Sequence, residues 1–133
     1  MTKQERYQII RDIQDERGTY LISYVTLTRP GLETSMAMDS IRIIYEHLRR
    51  IATLKEETKI DLFLHSNGGD GTVPWRLVTL IREHCDEFNV IVPHRAFSAA
   101  TLTALGANSI IIHPMGMLGP TDPTVRNEYN PPK

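Results

Sequence analysis

A serine among small residues follows a glycine-rich turn by about thirty positions. Ser98 begins the stretch "SAATLTALGA", and the turn reads "HSNGGDG" over residues 65–71. Glycines let backbone N–H groups approach a ligand closely because no Cβ intervenes. N–H groups at a helix start are unpaired and attract negative charge. A serine hydroxyl beside such donors is suited to acyl transfer, with the developing oxyanion held by the N–H groups.

Each of these features also has a simpler interpretation. Taken alone, Ser98 is an ordinary helix cap, and Asp70 caps the helix that follows the turn. The glycine turn lacks the lysine of a P-loop and the G-x-G-x-x-G spacing of a dinucleotide site, so no organic cofactor is expected. Cys85 is better explained as a packed or surface residue than as a catalytic thiol, and Trp75 is expected to be a packing residue rather than part of a substrate groove.

Alternating strand and helix patterns position these residues. A first helix has the capping-box spacing of Thr2 and Glu5 and ends at Gly18. From residue 20 the predicted order is β-α-β-α-β-α-β. Strand patterns cover 19–28, 59–66, 89–94 and 108–114, and helical patterns cover 38–54, 72–88 and 98–107. This alternation predicts one α/β domain over 1–133, with a parallel sheet covered by helices on both faces.

Parallel α/β sheets bind ligands beyond the carboxyl ends of their strands. The glycine turn follows the second predicted strand, and the turn at residues 94–99 follows the third. Because these are consecutive β–α turns of one sheet, we expect them to lie side by side. The sequence thus predicts that Ser98 lies next to the Gly68-Gly69 pair.

Composition excludes several classes of protein. The 133 residues carry a net charge of −1, which gives no electrostatic footprint for nucleic acid. The five histidines lack ligand spacing, so no metal site is expected. A lone Cys85, no signal peptide and no long apolar run predict a cytoplasmic protein. The proline-rich end "GPTDPTVRNEYNPPK" suggests a fragment truncated at its C-terminus, and membrane association is expected only through a region absent here.

Two stretches carry a family resemblance: "LFLHSNGGDGTVPWRLVTLIREH" and "VIVPHRAFSAATLTALGANSIIIHPMGMLGPTDP". They resemble the serine dehydrogenase proteinase family of the Clp protease and crotonase superfamily, related to signal peptide peptidase A. The likeness covers roughly residues 18–125. It implies a homo-oligomeric serine peptidase acting on peptides or proteins without a cofactor. Ser98 matches the nucleophile, and Gly69 of the Gly68-Gly69 pair, with the N–H of Ala99, matches the oxyanion hole.

The sequence does not identify which residue acts as the general base. Clp-type proteases carry a histidine about two dozen residues after the serine, but "MGMLGPTDPTV" contains none. Relatives closer to signal peptide peptidase A use a lysine, and Lys133 is the only lysine after Ser98. A lysine beyond Lys133 or from a neighbouring subunit is an alternative, and His94 and His113 are weaker candidates.

Two other functions remain open from the sequence. One is a crotonase-type acyl-CoA enzyme, in which the same backbone donors would act on a thioester and Ser98 would be a bystander. The other is a non-catalytic assembly domain that retains the fold without the base. Both keep the α/β architecture and differ from the peptidase in whether Ser98 is activated.

Overall fold

The computed structural model describes residues 1–51 and 57–121 of the chain. The helices are α1 (Lys3–Arg17), α2 (Asp39–Ile51), α3 (Val73–Arg82) and α4 (Ala99–Leu105). The strands are β1 (Tyr20–Val25), β2 (Lys59–His65), β3 (Glu87–Val92), β4 (Arg95–Ala96), β5 (Ser109–Ile112) and β6 (Met117–Leu118). A parallel sheet has the order β1-β2-β3-β5, and β4 pairs with β6 in a second sheet. The predicted α/β fold is confirmed.

The core forms around the two central strands of the main sheet. Both carry apolar residues with the β-branched and aromatic character that favours buried parallel strands. Their buried members are Ile60, Leu62, Leu64, Phe88, Val90 and Val92. Helices α2 and α3 add the buried residues Ile44, Leu48, Val73, Leu77 and Ile81. This rigid layer fixes the carboxyl ends of β2 and β3, where both predicted turns begin.

Three features of the fold differ from the sequence prediction. Helix α3 ends at Arg82, earlier than predicted, because Asp86 and Glu87 donate their N–H groups to Thr58 O and so lead into β3. Strands β4 and β6 were not predicted, since two residues are too few to show a period. Trp75 is 76% exposed, so the expectation that it is a packing residue is wrong.

Helix α1 is attached to the sheet by a buried carboxylate. Its capping box and its left-handed Gly18 end are as predicted, yet none of its residues is buried. Arg17 Nε pairs with the buried Asp61 of β2, which also accepts bonds from Thr19 Oγ1 at 2.9 Å and Asn89 Nδ2 at 3.2 Å. Because isolated helices of this length are marginal in water, this polar contact matters for its position.

Removing Arg17 is expected to destabilise the protein. An Arg17→Ala change leaves the Asp61 carboxylate buried with fewer donors, at an expected cost of about 2 kcal/mol in the free energy of unfolding. Urea unfolding followed by circular dichroism measures this loss. The control is Arg42→Ala, because the Arg42–Glu46 pair is exposed and 3.7 Å long and is expected to contribute less than about 0.5 kcal/mol. Equal losses in both variants would contradict the anchoring role.

Candidate active site

The glycine turn and the serine turn are in contact at the carboxyl ends of β2 and β3. Ser66 donates its N–H to Arg95 O at 3.1 Å, and Phe97 donates its N–H to Ser66 O at 3.0 Å. A Cβ added to Gly68 would lie 2.7 Å from Phe97 O and 2.8 Å from Ser98 Cβ. The predicted juxtaposition is therefore confirmed, and Gly68 lies too close to the serine turn to carry a side chain without displacing it.

Ser98 has a backbone conformation that L-residues rarely adopt. Its φ of 55° and ψ of −118° make it the one non-glycine residue with positive φ in the described ranges. Its N–H donates to Pro120 O at 3.1 Å, and its side chain makes no capping bond to α4. Strain of this kind costs of order 1–3 kcal/mol and clusters at functional sites, including sharp strand-to-helix turns that present a nucleophile. This geometry argues against Ser98 being an ordinary helix cap.

Two backbone donors beside Ser98 are uncommitted. Within residues 1–51 and 57–121, neither the Gly69 N–H nor the Ala99 N–H donates to a protein acceptor. Ala99 is the first residue of α4, where an unpaired N–H is expected. The Gly68 N–H instead donates to Ser66 Oγ at 3.0 Å. Of the glycine pair, Gly69 is thus the residue whose N–H is available to a ligand.

The segment before α2 holds the glycine turn from its other side. Met36 donates its N–H to Gly68 O at 2.9 Å and accepts from the Asp70 N–H at 2.9 Å, forming a short parallel bridge opposite Gly69. A Cβ on Gly69 would lie 2.5 Å from Met36 N and would overlap its carbonyl oxygen. Glycine is therefore required at position 69 by space, while its N–H stays directed away from the bridge.

Sequence reasoning missed the polar residues that support this turn. The buried Ser66 Oγ accepts from the Gly68 N–H and from Thr26 Oγ1 at 2.7 Å. The Thr101 hydroxyl donates to Ala96 O at 2.7 Å and lies 3.1 Å from Gly119 O, which ties α4 to the second sheet. Small polar residues are common near turns, so the sequence contained no signal that set these apart.

Histidines lie at the same sheet edge. The rings of His65 and His94 are 5.7 Å apart, and Arg95 Nε donates to His94 Nδ1 at 3.2 Å. Burial lowers the pKa of His65, and the nearby His94 and Arg95 lower it further. The neutral form of the His65 ring is therefore favoured over the charged form. Among the described residues no three His, Cys, Asp or Glu side chains are placed to hold a metal ion.

The lowered pKa of His65 predicts a pH dependence of stability. Just below pH 6.5 the unfolded chain takes up a proton at His65 more readily than the folded one, so stability falls as the pH drops through this range. We expect His65→Gln to lose less stability than the parent protein between pH 7.5 and 5.5, measured by urea unfolding. His113→Gln, at an exposed position on the loop after β5, is the control. An unchanged pH dependence in His65→Gln would contradict this assignment.

Of the remaining residues that the sequence analysis considered for catalysis, the structure describes Cys85 and His113. Burial raises the pKa of the Cys85 thiol to about 11, so the reactive thiolate is scarce at neutral pH. His113 is exposed on the loop after β5, where its Nδ1 accepts from the Met115 N–H at 3.1 Å. Lys133 lies outside the described residues.

Across the described ranges, no helix has the length and apolarity needed to cross a membrane.

These features define a ClpP-like α/β protein with a candidate serine site. The structure aligns with the crystal structure of the ClpP protease catalytic domain from Plasmodium falciparum at a TM-score of 0.57 and 12% identity, covering 85% of this chain and 62% of that one. The model of the ClpP-like SDH-type serine proteinase family matches residues 1–132. The chain therefore belongs to that family, as the sequence resemblance indicated.

Relatives at higher identity come from an archaeon. Two uncharacterized proteins of Methanocaldococcus jannaschii are each 33% identical to this chain, over 125 and 121 residues. The alignments cover 91% and 89% of this chain but only 42% of each relative. The chain thus spans less than half the length of these relatives.

Proposed function

We propose that this chain is a serine peptidase that cleaves peptide bonds through an acyl-enzyme on Ser98. The observation that carries the proposal is the strained Ser98 backbone, whose hydroxyl is not used to cap α4. Membership of a family of ClpP-like serine proteinases supports the same conclusion. The proposed substrate class is peptide or protein, in keeping with a family described as serine proteinases.

The chemistry proceeds in two stages. Ser98 Oγ attacks the scissile carbonyl carbon while a base takes its proton, and the carbonyl oxygen becomes an oxyanion. The N–H groups of Gly69 and Ala99 are proposed to bind that oxyanion, and losing one such donor typically costs about 3–4 kcal/mol of transition-state stabilisation. The amine then leaves with a proton, and water hydrolyses the ester to regenerate Ser98.

We infer Ser-Lys rather than Ser-His-Asp chemistry, with Lys133 or another lysine as the base. A lysine must be desolvated to lose its proton near neutral pH. Lys59 does not fit, because it begins β2, at the opposite end of a seven-residue strand from the glycine turn, and pairs with Glu87 at 3.6 Å. A strand of this length spans about 20 Å.

Labelling with a fluorophosphonate probe tests the proposal. We expect a covalent adduct that mass spectrometry maps to Ser98, and hydrolysis of a fluorogenic peptide by the same protein. Lys133→Met tests the base separately, because it should remove labelling only if Lys133 activates the serine. Turnover of an acyl-CoA thioester without labelling would instead support the crotonase-type activity. The absence of both labelling and turnover would overturn the peptidase assignment for this chain.

A further inference from the structure

We propose that two copies of this chain associate through the free edge of β1, forming a two-fold symmetric dimer with a continuous sheet. Strand β1 stands first in the sheet order and pairs with β2 alone among the described strands. Its outer side therefore carries backbone groups that β2 does not satisfy. An antiparallel copy of the same strand can satisfy them.

The register shows which groups face outward. The Thr26 N–H donates to His65 O at 2.9 Å, so Thr26 faces β2. Because residues of a parallel strand alternate in the side to which they bond, Tyr24 also faces β2, whereas Ser23 and Val25 face outward. Gln14 Oε1 accepts from the Leu21 N–H at 2.8 Å, which closes the edge at its beginning. At its other end Leu27 donates its N–H to Thr34 Oγ1 at 2.8 Å and accepts from the Thr34 N–H at 3.0 Å, so the open part of the edge is limited to Ser23 and Val25.

Between its two bonded ends, this edge lacks the charged residues and prolines that normally prevent pairing. Residues 19–28, "TYLISYVTLT", contain no charged residue and no proline. Proteins usually protect exposed edges with lysine, proline, bulges or a covering element. Among the described residues, Gln14 bonds the outward-facing Leu21 and Thr34 bonds the outward-facing Leu27, while Val25 between them is 57% exposed. An unprotected edge rich in β-branched and aromatic residues is expected to be covered in the assembled protein.

Helix α2 extends the same surface. A groove of about 300 Å³ runs between β1 and α2, with Ile43 and His47 on its helical side. Ile43 is 62% exposed, whereas the core face of α2 is formed by Ile44 and Leu48. An isoleucine exposed at the border of an open strand edge is what a second copy of α2 would cover.

The symmetry of these features favours a second copy over an unrelated partner. Pairing Ser23 of one chain with Val25 of the other forms two equivalent hydrogen-bonded pairs, with four N–H···O bonds in total. The same two-fold axis sets the two α2 helices antiparallel. It brings the acidic start of one, at Asp39, toward the basic end of the other, at Arg49. These charges and the helix dipoles then attract, and the interface is self-complementary.

Light scattering coupled to size-exclusion chromatography tests the dimer over a dilution series. We expect the mass of two chains for the parent protein and of one chain for Ile43→Lys and Val25→Pro. The proline change is suited to this test because an outward-facing N–H makes no bond within the chain. Ile9→Lys replaces an isoleucine of α1 that is 49% exposed and should leave the dimer intact.

Two outcomes would overturn the interface. One is a monomeric parent protein at every concentration, which would leave the edge free for another partner. The other is a dimer that both interface variants retain, which would place the contact elsewhere. Circular dichroism of the variants confirms that any loss of mass reflects dissociation of folded chains. The measured mass does not depend on Ser98, so this experiment tests the dimer independently of the peptidase proposal.

Discussion

Replacing Ser98 with alanine is expected to abolish fluorophosphonate labelling and to lower peptide hydrolysis by at least about 1,000-fold. The alanine variant keeps both backbone donors but removes the only atom that can form the acyl-enzyme, and losses of this size follow removal of a serine nucleophile. The measurement is kcat/KM with a fluorogenic peptide. Ser109→Ala is the control, because Ser109 lies at the start of β5 and its hydroxyl bonds Asn89 Oδ1 at 2.6 Å. Residual activity within tenfold of the parent would show that Ser98 is a bystander.

The same position allows a test of the strain itself. At a φ of 55° glycine is preferred over alanine by about 1 kcal/mol, because it has no Cβ to clash with the backbone. Ser98→Gly is therefore expected to be more stable than Ser98→Ala, although both are inactive. Stability would then be gained where function is lost, as expected for a strained functional residue.

Replacing Gly68 with alanine is expected to have the second largest effect. Its φ is 104°, and a new Cβ would meet the backbone of Phe97 and the Cβ of Ser98, neither of which can move freely. We expect a loss of about 2–3 kcal/mol in the free energy of unfolding. We also expect a drop of about 100-fold in kcat/KM, since displacements near 1 Å cost that much in positioned catalysis.

Gly71→Ala is the matched control for this prediction. Gly71 belongs to the same turn, but a Cβ there would meet nothing within 4 Å, and its φ is not in the left-handed region. Its stability and kcat/KM are expected to stay close to those of the parent protein. Similar losses in the two variants would mean that the turn tolerates no side chain anywhere, rather than being limited by its contact with the serine turn.

Short-range patterns in the sequence were enough to predict the elements that hold the site. The capping box of Thr2 and Glu5, the stop at Gly18 and the apolar strands are local features, and each has the predicted role. The adjacency of the two turns was also predictable, because consecutive β–α turns of a parallel sheet share an edge. The sequence pattern predicted too long a helix at α3, because it could not show that Asp86 and Glu87 hydrogen-bond to Thr58 O and lead into β3.

What the sequence by itself determined was the α/β order, the family and the pairing of a serine with a glycine turn. Only the tertiary structure decided how that pair is built. The strained φ of Ser98, the Ser66 bond that leaves Gly69 as the available donor, and the Met36 bridge all join segments far apart in the chain. The exposure of Trp75 and the open edge of β1 are likewise decided by the tertiary structure. Such features depend on which surfaces meet after folding, and residue types and spacing alone do not specify that.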